Sequence, residues 1–168
     1  MRGVRAMSME HDYFGLVGDY WSERFQYADQ DVEVVLDADA DLVSTAALDA
    51  AATLIGELEL VDDELRNLFV GQLDSSASPV TRFLRSVLGG GGDEADAAAD
   101  AITRDSGDRD IDALRSLSLV RVDVRPDADR EGETFAEFEY GLAPEDVDAR
   151  LVAIIDIGRE IVDVRHDA

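Results

Sequence analysis

Two blocks of alternating apolar and polar residues enclose a long stretch with helical spacing, and this segregation restricts the fold more than any other feature of the chain. In the amino-terminal block, Tyr13-Phe14-Gly15 opens a short apolar strand. Tyr20, Trp21, Phe25 and Tyr27 carry the aromatics of a second strand. Val32, Val34 and Leu36 then alternate with Glu33, Val35 and Asp37. Period two of this kind predicts strands, with turns at Gly18-Asp19 and Asp29-Gln30. In the carboxyl-terminal block, Val120, Val122 and Val124 alternate with Arg121, Asp123 and Arg125, and Phe138, Tyr140 and Leu142 with Glu137 and Glu139. Leu151 to Ile157 is apolar on both faces, as in an interior strand. Val162 and Val164 alternate with Asp163 and Arg165 after a tight turn at Gly158-Arg159.

Between the blocks the spacing changes. Ser44 or Thr45 caps a predicted helix carrying Leu48, Ala51, Ala52, Ile55 and Leu58. Asp62 is a second candidate cap, ahead of Leu65, Leu68, Phe69 and Leu73. Ser78-Pro79 predicts a third helix start, because proline at the first helical position loses no needed hydrogen bond. That helix must end at Gly89 to Gly92. Ala95 to Ile102 is an alanine-rich helix candidate with little apolar area. Segregated strand and helix blocks predict an α+β fold: an antiparallel sheet of N-terminal and C-terminal strands, with three to four central helices packed on one face. The expected organisation is a disordered extension over 1–9 and one α+β domain over 10–166, with a flexible acidic segment at 89–112. Arg121, Arg125, Glu137 and Glu139 are placed for cross-strand ion pairs.

Composition then limits function. Hydrophobic residues make up 46% of the chain, too many for a disordered acidic tail. The formal net charge is -24, and all 15 basic residues are arginine. Such a surface repels nucleic-acid phosphate and anionic membranes, and leaves basic proteins and cations as partners. Cysteine is absent, which removes disulfides, thiolate zinc sites and a cysteine nucleophile. No secretory leader or apolar membrane span is evident, so the expected location is cytoplasmic.

No motif selects a catalytic residue. Gly89 to Gly92 is followed by Asp93-Glu94 where a phosphate loop needs lysine and a hydroxyl. Asp37, Asp39 and Asp41, like Asp108, Asp110 and Asp112, begin as calcium loops do but lack the glycine and glutamate that complete one. Asp127, Asp129 and Glu131, followed by Gly132, fit better and are the candidate metal ligands, although Phe138 stands where the closing glutamate belongs. His11 and His166 each adjoin an aspartate, which suits either a surface histidine or an oriented imidazole base. The large aromatics read first as core, with Trp21 the best binding anchor among them. Residues 93–112 hold eight acids against Arg104 and Arg109, a net of -6.

The segments Leu117 to Pro126, Phe135 to Tyr140 and Leu151 to Asp156, with the glycine turn and final short strand, resemble an uncharacterised bacterial family, number two thousand and four in the domain-of-unknown-function series. Tyr13-Phe14-Gly15 and the polar strand and helices after it are similar too. The resemblance implies a small, acidic, cytosolic, immunity-like protein and carries no catalytic residues. The expected function is therefore non-enzymatic binding of a basic protein partner through Trp21, Asp93, Glu94, Asp96 and Asp100, with no cofactor. The expected state is a monomer, or a homodimer through an edge strand. The alternative is a metal-dependent or acid/base small-molecule enzyme using Asp/Glu with His11 or His166.

Overall fold

The computed structural model describes residues 9–17, 21–28 and 30–167. Most of the expected 1–9 extension, the Gly18-Asp19 turn, Tyr20 and Asp29 lie outside these residues. Among those described, eight strands and five α-helices form an α+β fold. The strands are β1 (Met9–His11), β2 (Gly15–Val17), β3 (Trp21–Tyr27), β4 (Gln30–Leu36), β5 (Ser118–Val124), β6 (Ala136–Gly141), β7 (Arg150–Ile155) and β8 (Ile161–Asp167). The helices are α1 (Thr45–Gly56), α2 (Leu58–Gly71), α3 (Pro79–Gly89), α4 (Gly92–Asp100) and α5 (Arg109–Arg115), with a 3-10 turn at Gln72–Asp74. The helix count exceeds the expected three to four because the acidic segment forms two short helices of its own.

β1 and β2 pair with each other, and β3 to β8 form a six-stranded sheet in chain order. The β3–β4 hairpin runs antiparallel from Trp21 opposite Leu36 to Tyr27 opposite Gln30. Ala28, in its turn, has φ 49°, a left-handed conformation of the kind that tight hairpins require. β4 and β5 are parallel, with Glu33 opposite Arg121 and Leu36 opposite Val124. The sheet is mostly antiparallel, as the segregated blocks predict, with the β4–β5 pair parallel within it. Parallel neighbours need a long crossover, and the whole helical block supplies it.

Local chemistry sets the helix ends. The Ser44 hydroxyl accepts from Ala47 N at 3.0 Å, and the Ser78 hydroxyl from Thr81 N at 3.1 Å, with Pro79 opening α3. Gly91 and Gly92 have φ of 71° and 80°, so the glycine run supplies the left-handed residues that let α4 follow α3 at once. Asp62 is not a cap. α2 starts earlier, at Leu58, and Asp62 lies inside it, 2% exposed.

Alternation holds along β6, where Ala136, Phe138 and Tyr140 are buried and Glu137 and Glu139 are not. In β5 the buried positions are Leu119, Val122 and Val124, so the phase slips by one residue at Val120. β8 ends the strand order, and its Val162 is 38% exposed, because an edge strand has a neighbour on one side only. The chain divides into two compact units. The first holds the described residues up to Leu58 with 121–138 and 154–163. The second holds Glu59–Val120, Glu139–Ala153 and the described residues from Val164.

Candidate functional site

The acidic segment lies in the second unit. Ala97, Ala98 and Ala99 are strong helix formers, and Asp93 and Glu94 in the first turn of α4 suit its dipole. Ala98 is the helix's buried residue; Asp93, Glu94, Asp96 and Asp100 are all exposed. Positions 93, 96 and 100 follow helical spacing, so their carboxylates share a face. None of the four has an arginine partner among the described residues. Some carboxylates elsewhere are paired: Glu33 with Arg121 at 3.0 Å, Glu137 with Arg125 at 3.0 Å, Glu57 with Arg159 at 2.7 Å. Arg125 and Glu137 pair as expected, whereas Arg121 takes Glu33 and Glu139 lies 3.8 Å from Arg150.

Beside the start of α4 is a cavity of ≈ 410 Å³ lined by Val87, Gly90, Gly91, Asp93, Glu94 and Val147, among others. Its polar rim carries two carboxylates, and its apolar wall comes from two valines. A second cavity, of ≈ 490 Å³, is lined by Ala99, Ile102, Arg104, Gly107, Arg109 and Asp112. Arg109 also lines an adjoining cavity of ≈ 270 Å³ with Arg85 and Asp110.

The link between α4 and α5 is held by Asp112, which is 3% exposed. Its carboxylate accepts from Ser106 N at 2.9 Å, Asp105 N at 3.1 Å and the Ser106 hydroxyl at 2.8 Å. The Ser106 and Asp105 amides, then that hydroxyl, hold its carboxyl below the ordinary aspartate range. Asp108 caps α5, accepting from Asp110 N at 3.0 Å and Ile111 N at 3.1 Å. Two carboxylates of the calcium-like triplet are thus spent on the backbone.

The other singled-out residues lie apart from this region in the chain. Trp21 belongs to the first unit. There it meets Phe14 edge-on at 5.0 Å, with the half-exposed Tyr13 at 6.0 Å. Asp127, Asp129 and Glu131 lie on the β5–β6 loop, and among the described residues no three His, Asp or Glu side chains group closely enough to hold a metal ion. That loop is anchored by Gly132 N donating to Asp156 at 3.0 Å. Asp156 also accepts from Gly158 N and Glu160 N, each at 3.0 Å, and so builds the turn before β8. The Gly132 amide and these two donors hold the Asp156 carboxyl below its ordinary value.

His11 pairs with Asp49, 38 residues away, at 2.8 Å through Nε2, rather than with its neighbour Asp12. Its Nδ1 accepts from Tyr13 N at 3.1 Å, which requires Nε2 to carry the proton donated to Asp49. Both ring nitrogens are thereby occupied. His166 lies edge-on to Phe83 at 5.8 Å, and its Nε2 has no hydrogen-bond partner among the described residues. A buried cluster went unforeseen: Asp62 Oδ1 accepts from the Tyr140 hydroxyl at 2.7 Å and from Arg66 Nε at 2.9 Å, while Arg66 also donates to Leu117 O at 2.6 Å. The i,i+4 spacing of Asp62 and Arg66 was the one signal for it.

The fold and these surfaces define an α+β protein with an unpaired acidic helix and two side-chain-lined cavities beside it. No protein-family model, curated protein or solved structure matches the chain. Among the described residues, no helix is long and apolar enough to cross a membrane.

Proposed function

We propose that this chain is a non-enzymatic, immunity-like binding protein that presents α4 to a basic protein partner. The observation that carries this reading is the unpaired, exposed set Asp93, Glu94, Asp96 and Asp100, two of which rim the ≈ 410 Å³ cavity. An arginine or lysine of the partner entering that cavity would meet two carboxylates with its head and Val87 and Val147 with its stem. Exposed ion pairs contribute only about 0–1 kcal/mol each. The acidic face therefore serves encounter rate and specificity, and lasting affinity comes from the apolar wall. Trp21, in the first unit, is a separate aromatic anchor.

The test compares the native chain with the Asp93→Asn, Glu94→Gln, Asp96→Asn, Asp100→Asn variant as bait in native lysate at low and physiological salt. The expected result is a basic protein retained by the native chain at both salts and lost by the variant. If both baits retain the same proteins, or neither retains any, the reading is wrong.

A further inference from the structure

The ≈ 490 Å³ cavity between α4, the link and α5 carries the opposite chemistry. Its one lining carboxylate, Asp112, already accepts three hydrogen bonds. Its two lining guanidiniums, Arg104 and Arg109, have no acceptor among the described residues. Each offers five N–H donors in a fixed fork. The unused capacity of this cavity is therefore donors and positive charge. Both arginines are exposed to solvent. Arg82, Arg85, Arg115 and Arg130 also have no acceptor among the described residues, but Arg104 and Arg109 line one concave surface with an apolar wall of Ala99 and Ile102.

We infer that this cavity is a binding site for a small organic anion, with Arg104 and Arg109 holding its oxyanion and Ala99 and Ile102 receiving its apolar body. The volume falls within the range of small-molecule sites. Paired guanidinium donors match carboxylate and phosphate oxygens alike. Asp100, Asp105, Asp108 and Asp110 are the neighbouring acids in the chain, and they oppose the ligand. Asp105, Asp108 and Asp110 adjoin the two arginines in the chain, inside the screening length of about 8 Å at physiological salt, so their repulsion lowers the affinity that the contact hydrogen bonds supply. The site is independent of the acidic face: it uses other residues and the opposite charge.

Amide spectra of the ¹⁵N-labelled full chain, titrated with phenylacetate, phenyl phosphate, inorganic phosphate and the neutral phenylacetamide, test it. Saturable shifts centred on 99–112 are expected with phenylacetate or phenyl phosphate, and whichever binds tighter identifies the oxyanion. Inorganic phosphate should bind more weakly, and the neutral amide should cause no saturable shift there. Arg104→Gln and Arg109→Gln, made separately, should each weaken binding about tenfold or more. Arg130→Gln, with the same charge change in the first unit, should stay within about twofold of the native chain. Retained spectral dispersion shows each variant folded. The inference fails if neither organic anion gives saturable shifts at 99–112, if the neutral amide matches them, or if both cavity variants bind as the native chain does.

Discussion

Asp62 is 2% exposed and holds the Tyr140 hydroxyl at 2.7 Å and Arg66 Nε at 2.9 Å. The Arg66 guanidinium also lies 5.3 Å from the Tyr140 ring centre, and Phe69 packs edge-on against that ring at 5.2 Å. Replacing the carboxylate by a methyl group leaves a guanidinium and a phenol without their shared acceptor. Asp62→Ala is expected to cost about 3 kcal/mol or more in denaturant unfolding. Tyr140→Phe removes one donor and leaves the ion pair, so about 1 kcal/mol is expected. Asp123 has the opposite sign. Burial raises its carboxyl above the ordinary range, Arg125 opposes that shift, and one oxygen has no hydrogen-bond partner among the described residues. Its charge is disfavoured in the fold, so Asp123→Asn should raise the denaturation midpoint at neutral pH; a fall would contradict this assignment. Sequence spacing predicts an inward Tyr140, as found, but reads Asp62 as a helix cap, whereas the helix starts at Leu58 and carries Asp62 inside it.

Asp112 and Asp156 each organise an irregular link with three hydrogen-bond donors. Both carboxyls sit below their ordinary values because those donors favour the charged form. A folded value below the unfolded one, about 3.9, means stabilisation that is complete above that value and lost as pH falls through the folded value. The native chain is therefore expected to lose stability below about pH 4. Asp112→Asn and Asp156→Asn should be less stable than the native chain at pH 7, with the gap closing in acid. A gap independent of pH would show that the donors do not act through the charge. The helix caps at Ser44 and Ser78 were readable because donor and acceptor lie three residues apart in the chain. Gly132 and Asp156 are 24 residues apart, and no local pattern pairs them.

The net charge of -24 acts on the folded state as a whole. Self-repulsion weakens as the Debye length falls from about 30 Å at 0.01 M salt to about 8 Å at physiological strength. The melting temperature should therefore climb with NaCl over that range and level off above it; a flat or falling profile in calorimetry would show that repulsion is not a significant term. The class of fold follows from periodicity and from capping atoms a few residues apart, which act before any distant segment arrives. That is why α+β, the strand blocks and two helix starts were legible in the chain alone. The parallel pairing of β4 with β5, the Asp62–Tyr140 bond across 78 residues and the grouping of Arg104 with Arg109 in one cavity came only with the tertiary structure. Among 39 similar carboxylates and 15 similar guanidiniums, partner choice depends on which backbone segments the packed core brings within hydrogen-bond reach.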